Sequence, residues 1–372
     1  MAERKCLGVL ISDFNLANLA GYLGNDTEAP EIAVSIAPFG QPVQALLQDD
    51  LECWRENPDF AVMWTQPEAV IESFNQILSY REIEPDRILR EVDHFAALLS
   101  AAAARVKWLF VPTWTMPSNH PGFGMLDMRP GTGIAQTLMR MNLRLAEKVE
   151  NVSNIYLLDA GRWMGAAGKH AFNPKLWYMA KIPFGNEVFI EAVKDLKCAL
   201  RGANGSAKKL IIVDLDDTLW GGIVGDAGWE NLRLGGHDFL GEAYVDFQRE
   251  LKAMTHRGIL LGIVSKNEEA VALEAINKHP EMVLRLDDIA GWKINWRDKA
   301  LNVLELVAEL NLGLQSVVFI DDNPVERARV REALPEVLVP DWPLDKTLYK
   351  SALLGLRCFD NPSISQEDVA RT

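Results

Sequence analysis

The chain has 372 residues, of which 48% are hydrophobic and 24% charged, and it carries a formal net charge of −14. That acidity argues against nucleic acid or an anionic membrane surface as a partner, since both are polyanions. Cys6, Cys53, Cys198 and Cys358 show neither CxxC nor Cys/His spacing, which argues against a zinc site and a disulfide framework.

Ordinary composition at this length points to about two domains of roughly 150 residues each. The apolar run Cys6–Ile11 is too short for a signal peptide and reads as the end-to-end core of a first strand, Cys6–Ser12. Helix Leu16–Leu23 follows, then strand Ile32–Ala37, helix Pro42–Gln48 and strand Phe60–Trp64. Next come helix Pro85–Arg105, strand Lys107–Pro112, helix Gly131–Val149, strand Ile155–Asp159 and helix Asn186–Leu200. Strands alternating with helices predict a parallel sheet covered on both faces. No run reaches the ~18 apolar residues of a membrane helix, so a cytoplasmic, reducing location is expected.

The small, polar stretch Arg201–Ala207 reads as a linker. A second series begins behind it. It runs through strand Lys209–Val213, helix Leu240–His256, strand Ile259–Val264, helix Glu268–Lys278, a short strand near Val283, helix Asp298–Leu310, strand Ser316–Ile320 and helix Pro324–Ala333. The expected fold is therefore α/β, with two Rossmann-like three-layer domains over residues 1–202 and 203–372. Trp220–Trp229, rich in glycine, reads as a hairpin flap too small to be a cap domain. A site with so little cover can admit a bulky or protein-tethered substrate.

The second series carries the chemistry. Leu210–Val213 runs straight into Asp214-Leu-Asp216-Asp217-Thr218, and ligands of open α/β sheets sit at the carboxyl ends of strands. Asp214 is placed to attack phosphorus and form an aspartyl-phosphate. Asp216, two residues on, is placed to protonate the leaving group and then activate water. A carboxylate and a phosphate repel one another, so a hard cation must bridge them, and oxygen ligands suit Mg²⁺. A second strand ending in Asp321-Asp322 completes the expected metal set Asp214, Asp216, Asp321 and Asp322. Thr218, Ser265, Lys266 and Asn267, at two strand ends, are expected to bind phosphate, along with Lys299 at a helix start. Lys293 competes with Lys299 for that role.

This ordered set resembles the four motifs of the haloacid-dehalogenase (HAD) superfamily: Asp214/Asp216/Thr218, Ser265, Lys299 and Asp321/Asp322. Longer strings narrow the resemblance. Val213–Gly225, His279–Asp288, Trp292–Lys299 and Phe319–Arg327 look like the corresponding stretches of FkbH-like proteins. The resemblance is strong over the last 170 residues or so and looser over the first 200, where that family often carries a domain similar to SGNH hydrolases. It implies a glyceryl transferase/phosphatase of polyketide biosynthesis. Such a protein takes the glyceryl group of 1,3-bisphosphoglycerate, removes the remaining phosphate and loads the group onto a holo acyl carrier protein as a thioester. A plain Mg²⁺-dependent phosphatase on another phosphorylated small molecule or protein is the alternative.

For the acyl nucleophile two residues stay open. Cys198 lies upstream of the first motif, with Lys194 and Lys197 positioned to lower its pKa. Ser12 ends the first strand, where SGNH proteins place their serine. The Gly-Asp-Ser order is missing there, however, and Asp159 is followed by Ala-Gly-Arg162 where the family has Asp-x-x-His. His120 or His170 would have to act as base. Asn119 and His120, in a turn-rich segment, are expected to contact substrate. Lys169, His170, Lys175 and Lys181 are expected at the domain interface, binding substrate or the acidic carrier protein, and Arg327, Arg329 and Arg331 are expected to serve the same partner.

Overall fold

The computed structural model describes residues 5–361, with 119 and 237 excepted. The chain divides into two compact units, Met1–Lys197 and Cys198–Thr372. Each is an α/β unit built on a parallel sheet.

In the first unit the strands are β1 (Cys6–Ser12), β2 (Ile32–Ile36), β3 (Phe60–Trp64), β4 (Trp108–Pro112) and β5 (Ile155–Leu158). Their spatial order is β2-β1-β3-β4-β5, all parallel. Successive side chains of a strand point to opposite faces, and both faces are covered. Val9, Ile11, Ala61, Met63, Leu109 and Val111 pack with Ile88, Val92, Phe95 and Leu99 of helix Pro85–Ala103 and with Met141 and Leu145 of helix Ile134–Val149. On the other face Trp64 lies 5.1 Å from the Trp163 ring and 5.7 Å from that of Phe189.

The second unit orders β6 (Leu210–Val213), β7 (Leu260–Ser265), β8 (Gly291–Ile294) and β9 (Val317–Ile320) as β8-β7-β6-β9. Ile211, Val213, Leu261 and Ile263 face helices Phe239–Thr255 and Glu269–Lys278. Leu210, Ile212, Val264 and Phe319 face helices Lys299–Glu309 and Pro324–Ala333. From β6 the chain moves outward to β7 and β8, then crosses back to place β9 on the other flank of β6. That reversal opens a crevice at the carboxyl ends of β6 and β9, the place where ligands of such sheets bind.

Three expectations fail locally. The strand expected near Val283 is a loop, because the Gln248 side-chain amide accepts from Val283 N and Leu284 N in place of a neighbouring strand. The fourth strand is instead the short, half-buried β8. The expected linker is partly helical, since helix Asn186–Ala203 continues through Arg201 and Gly202. Trp220–Trp229 is no hairpin either. It holds a helical turn, Val224–Ala227, and is closed by one antiparallel bridge between Gly221 and Arg233. No helix among the described residues is long and apolar enough to cross a membrane.

Candidate active site

Asp214 directly follows β6, and its N–H donates to Ile320 O at 3.0 Å, so the ladder to β9 continues to Asp214. Asp321 follows β9 in the same way. One oxygen each of Asp214, Asp321 and Asp322 come within 4.8 Å of one another. Lys299 Nζ lies 2.6 Å from Asp321 Oδ2 and 3.0 Å from Asp214 Oδ1, and all three side chains are buried.

Asp214 and Asp321 share the Lys299 ammonium and Asp322 lies 3.5 Å from that of Lys346, so three carboxylates against two ammonium groups leave a negative excess in a largely dry place. Burial, and then Asp214, push the Asp321 carboxyl up to about 6. Burial also raises Asp322, against the pull of Lys346. For Lys299 burial pulls downward, but Asp214 and Asp321 outweigh it and hold the ammonium above the usual lysine range. Despite the ion pair, Asp214 Oδ1 is buried and accepts no well-directed hydrogen bond. Buried polar oxygens are rarely left so. An all-oxygen set with one unsatisfied member and a charge deficit fits a hard divalent cation such as Mg²⁺.

Thr218 serves Asp322. Its Oγ1 accepts from Asp322 N at 3.2 Å and donates to Asp322 Oδ1 at 3.4 Å. Arg327 is buried, and its Nη1 donates to the carbonyls of Asp321 and Asp322 at 2.7 and 2.8 Å. Arg327 is therefore turned inward rather than toward a partner protein. Arg329 is paired with Asp298 at 2.8 Å and Arg331 with Asp341 at 2.9 Å.

Asp216, expected among the metal ligands, stays outside the triad because its carboxylate is held elsewhere. Oδ1 accepts from Trp220 Nε1 at 2.9 Å and Val224 N at 3.1 Å, and Oδ2 from Asn267 Nδ2 at 2.9 Å. Burial raises its pKa above the usual carboxylate value, with these donors opposing. A half-buried carboxyl two residues from Asp214, with its pKa raised, suits acid/base work. Asn267 also donates to the buried Ser265 Oγ at 3.2 Å, so this amide faces Asp216 and Ser265. Lys266 is directed away to Glu326 at 2.6 Å. Lys293, the competitor for the lysine role, pairs with Glu309 at 2.6 Å and takes no part in the cluster.

Sequence reasoning missed the donors that shape this loop. Asp217 has a left-handed backbone, φ +54°. Its carbonyl accepts from Lys346 Nζ at 2.8 Å, Tyr349 Oη at 3.2 Å and Tyr244 Oη at 3.4 Å. Lys346 also lies 3.5 Å from Asp322 Oδ2. These residues come from a helix and a terminal segment more than 100 positions apart, with no spacing to announce them.

The acyl-nucleophile candidates fare differently. Cys198 is buried, with its thiol against Arg357 O and 3.2 Å from Asp360 Oδ2. Burial, and then Asp360, push the thiol up to about 12, the opposite of activation. The expected lysine help is absent, since Lys197 pairs with Asp26 and Lys194 with Glu191, each at 2.7 Å. Ser12 is buried at the end of β1, where its Oγ accepts from Phe14 N at 3.0 Å in a local turn. His120 Nδ1 accepts from Gly122 N at 3.0 Å. Its ring packs edge-on against Phe123 rather than being presented to a serine. His170 lies exposed in a short helical turn, Gly168–His170. Asn119 lies outside the described residues.

No family model matches this chain, and no curated protein does. Among solved structures, the chain is similar to the N-terminal part of the protein BF1531 from Bacteroides fragilis, which contains a phosphatase domain and was crystallised in complex with Mg. The TM-score is 0.85 at 26% identity, over 96% of this chain and 95% of that one.

Proposed function

We propose that this protein is a Mg²⁺-dependent phosphatase of the HAD type that works through an aspartyl-phosphate on Asp214. The observation that carries this reading is the triad Asp214, Asp321 and Asp322, two of them buried, with Lys299 bridging Asp214 and Asp321 and Asp214 Oδ1 accepting no well-directed hydrogen bond. The likeness to a Mg-bound structure containing a phosphatase domain supports it.

Asp214, Asp321 and Asp322 would hold the Mg²⁺, which supplies charge neutralisation between carboxylate and phosphoryl oxygens. Asp214 attacks phosphorus, and Asp216 gives its proton to the departing oxygen. Lys299 and the strand-end groups around Ser265 meet the phosphoryl charge. Water, deprotonated by Asp216, then releases phosphate and restores Asp214.

Within that reading, the FkbH-like strings support a narrower substrate. The glyceryl group of 1,3-bisphosphoglycerate would pass to the phosphopantetheine thiol of a holo acyl carrier protein. Thiol and acyl phosphate give thioester and phosphate, and the remaining phosphate ester is hydrolysed to alcohol and phosphate. Neither Cys198 nor Ser12 is assigned a covalent role. The test is to incubate the protein with 1,3-bisphosphoglycerate, Mg²⁺ and a holo carrier protein, then weigh the carrier by intact mass spectrometry. A glyceryl mass gain is expected. Phosphate release without carrier loading would leave a plain phosphatase, and no phosphate release by the wild type, or hydrolysis of the phosphate ester undiminished in Asp214→Asn, would end the proposal.

A further inference from the structure

The two oxygens of Asp216 are occupied unequally. Oδ1 accepts two hydrogen bonds, from Trp220 Nε1 at 2.9 Å and from Val224 N at 3.1 Å. Oδ2 accepts one, from Asn267 Nδ2 at 2.9 Å. A carboxylate oxygen has about two lone-pair directions, so Oδ1 is filled and Oδ2 has one left.

We propose that Trp220 is a positioning residue: its indole N–H, together with Val224 N–H, saturates Oδ1 and makes Oδ2 the oxygen that carries and delivers the proton of Asp216. This rests on the phosphatase reading above. An indole N–H is a donor only and does not titrate near neutral pH, so Trp220 can orient the carboxyl without exchanging a proton with it. The ring cannot easily move away. Trp220 is completely buried, in a core with Leu219, Val224 and Tyr244. Its backbone bridges in parallel to that of Asp216, and the buried Gln248 Nε2 ties down the neighbouring Leu219 O at 2.8 Å. The tight strand-end loop thus brings a donor four residues downstream back onto the acid.

The proton accounting is simple. As Asp214 bonds to phosphorus, the bond to the leaving oxygen breaks and its electron pair stays on that oxygen. The Oδ2 proton moves to it, leaving an ionised Asp216 whose charge meets three N–H donors. When water attacks the aspartyl-phosphate, its proton returns to Oδ2, and phosphate and Asp214 are released.

A positioned general acid is worth about 10²–10⁴-fold, and chiefly for a leaving group that needs the proton. The experiment compares kcat/KM with Mg²⁺ on p-nitrophenyl phosphate, whose leaving group departs as a stable anion, and on ethyl phosphate, whose alkoxide must be protonated. Two variants are used: Trp220→Phe, and replacement of Trp220 by benzothienylalanine, which keeps the ring volume and removes only the N–H. The loss on the alkyl ester should exceed the loss on the aryl ester by at least tenfold in both. Should Trp220→Phe fail to fold, the volume-matched isostere decides alone. Equal losses on the two esters overturn the inference and leave the phosphatase reading standing. So does a wild-type protein active on the aryl ester alone, since Asp216 then delivers no useful proton. A wild-type protein that hydrolyses neither ester overturns both.

Discussion

Thr218 and Asp322 hold each other twice across the crevice: the Thr218 hydroxyl accepts from the Asp322 N–H at 3.2 Å and donates to its Oδ1 at 3.4 Å. The first strand-end loop thereby sets the orientation of a carboxylate on the second. Groups that orient metal ligands typically change metal affinity by 10–100-fold when removed. Thr218→Val, which keeps the side-chain shape, should therefore raise the Mg²⁺ concentration needed for half-maximal phosphatase activity by roughly tenfold. Titration of Mg²⁺ against initial rate checks this, and an unchanged midpoint would make the threonine a packing residue only.

Lys299 is the ammonium that keeps Asp214 and Asp321 together in a buried place. Deleting one partner of such a cluster leaves uncompensated buried charge, which typically costs about 3–5 kcal/mol. Lys299→Met should lower the metal-free unfolding free energy by about that amount at neutral pH. Activity should fall by at least a hundredfold, because the phosphoryl charge loses its partner. Urea unfolding in a chelator gives the first quantity. Added Mg²⁺ should restore part of the lost stability, since it replaces the missing positive charge.

Asp13 follows β1 in the first unit and accepts from Gln66 N at 2.8 Å. Burial pushes its carboxyl up to about 7, with Glu68 adding to the rise. A carboxyl raised in the folded state binds more protons than in the unfolded chain, so the fold loses stability as pH rises between the two pKa values. The window runs from the unfolded value near 3.8 to about 7. Asp13→Asn keeps an oxygen for Gln66 N and cannot ionise. It should be more thermally stable than wild type at about pH 8 and lose that advantage near pH 4. A stability difference independent of pH would mean that Asp13 is exposed to solvent.

The parts of the site readable in the sequence share one property: each lies where a strand stops. Asp214, Ser265 and Asp321 follow apolar runs whose period and length announce a buried parallel strand, and strand ends are where such sheets do chemistry. Lys299 is legible from its place at the start of the helix expected over Asp298–Leu310, which favours it over Lys293. What stayed hidden depends on how loops fold back. Trp220 and Asn267 reach Asp216 only through the closed shape of the segment after β6 and the turn after β7. The three arginines of helix Pro324–Ala333 read alike as a charged face, yet one is buried against the Asp321 and Asp322 carbonyls. Cys198 had lysine neighbours in sequence, but Lys197, adjacent on the helix, points in another direction, and Lys194, one turn away, pairs with Glu191 instead.

Lys346 shows the same hidden logic and gives the last prediction. It sits in the segment before helix Tyr349–Gly355, and its ammonium donates to Asp217 O at 2.8 Å and Tyr349 Oη at 2.7 Å. Asp217 occupies a left-handed conformation that a non-glycine residue adopts only when its surroundings hold it there. Lys346→Met removes a charged donor from that carbonyl while keeping most of the side-chain bulk. Losing such a hydrogen bond should lower stability by about 1–3 kcal/mol. Because Asp217 lies between the acid Asp216 and Thr218, the loosened loop should also cost about tenfold in kcat, as a small misplacement of catalytic groups does. Lys346→Arg, which keeps a donor, should recover much of the stability and part of the rate. Equal damage from Met and Arg would point to packing of the stem rather than to the bond to Asp217, and urea unfolding with steady-state rates on both variants separates the two.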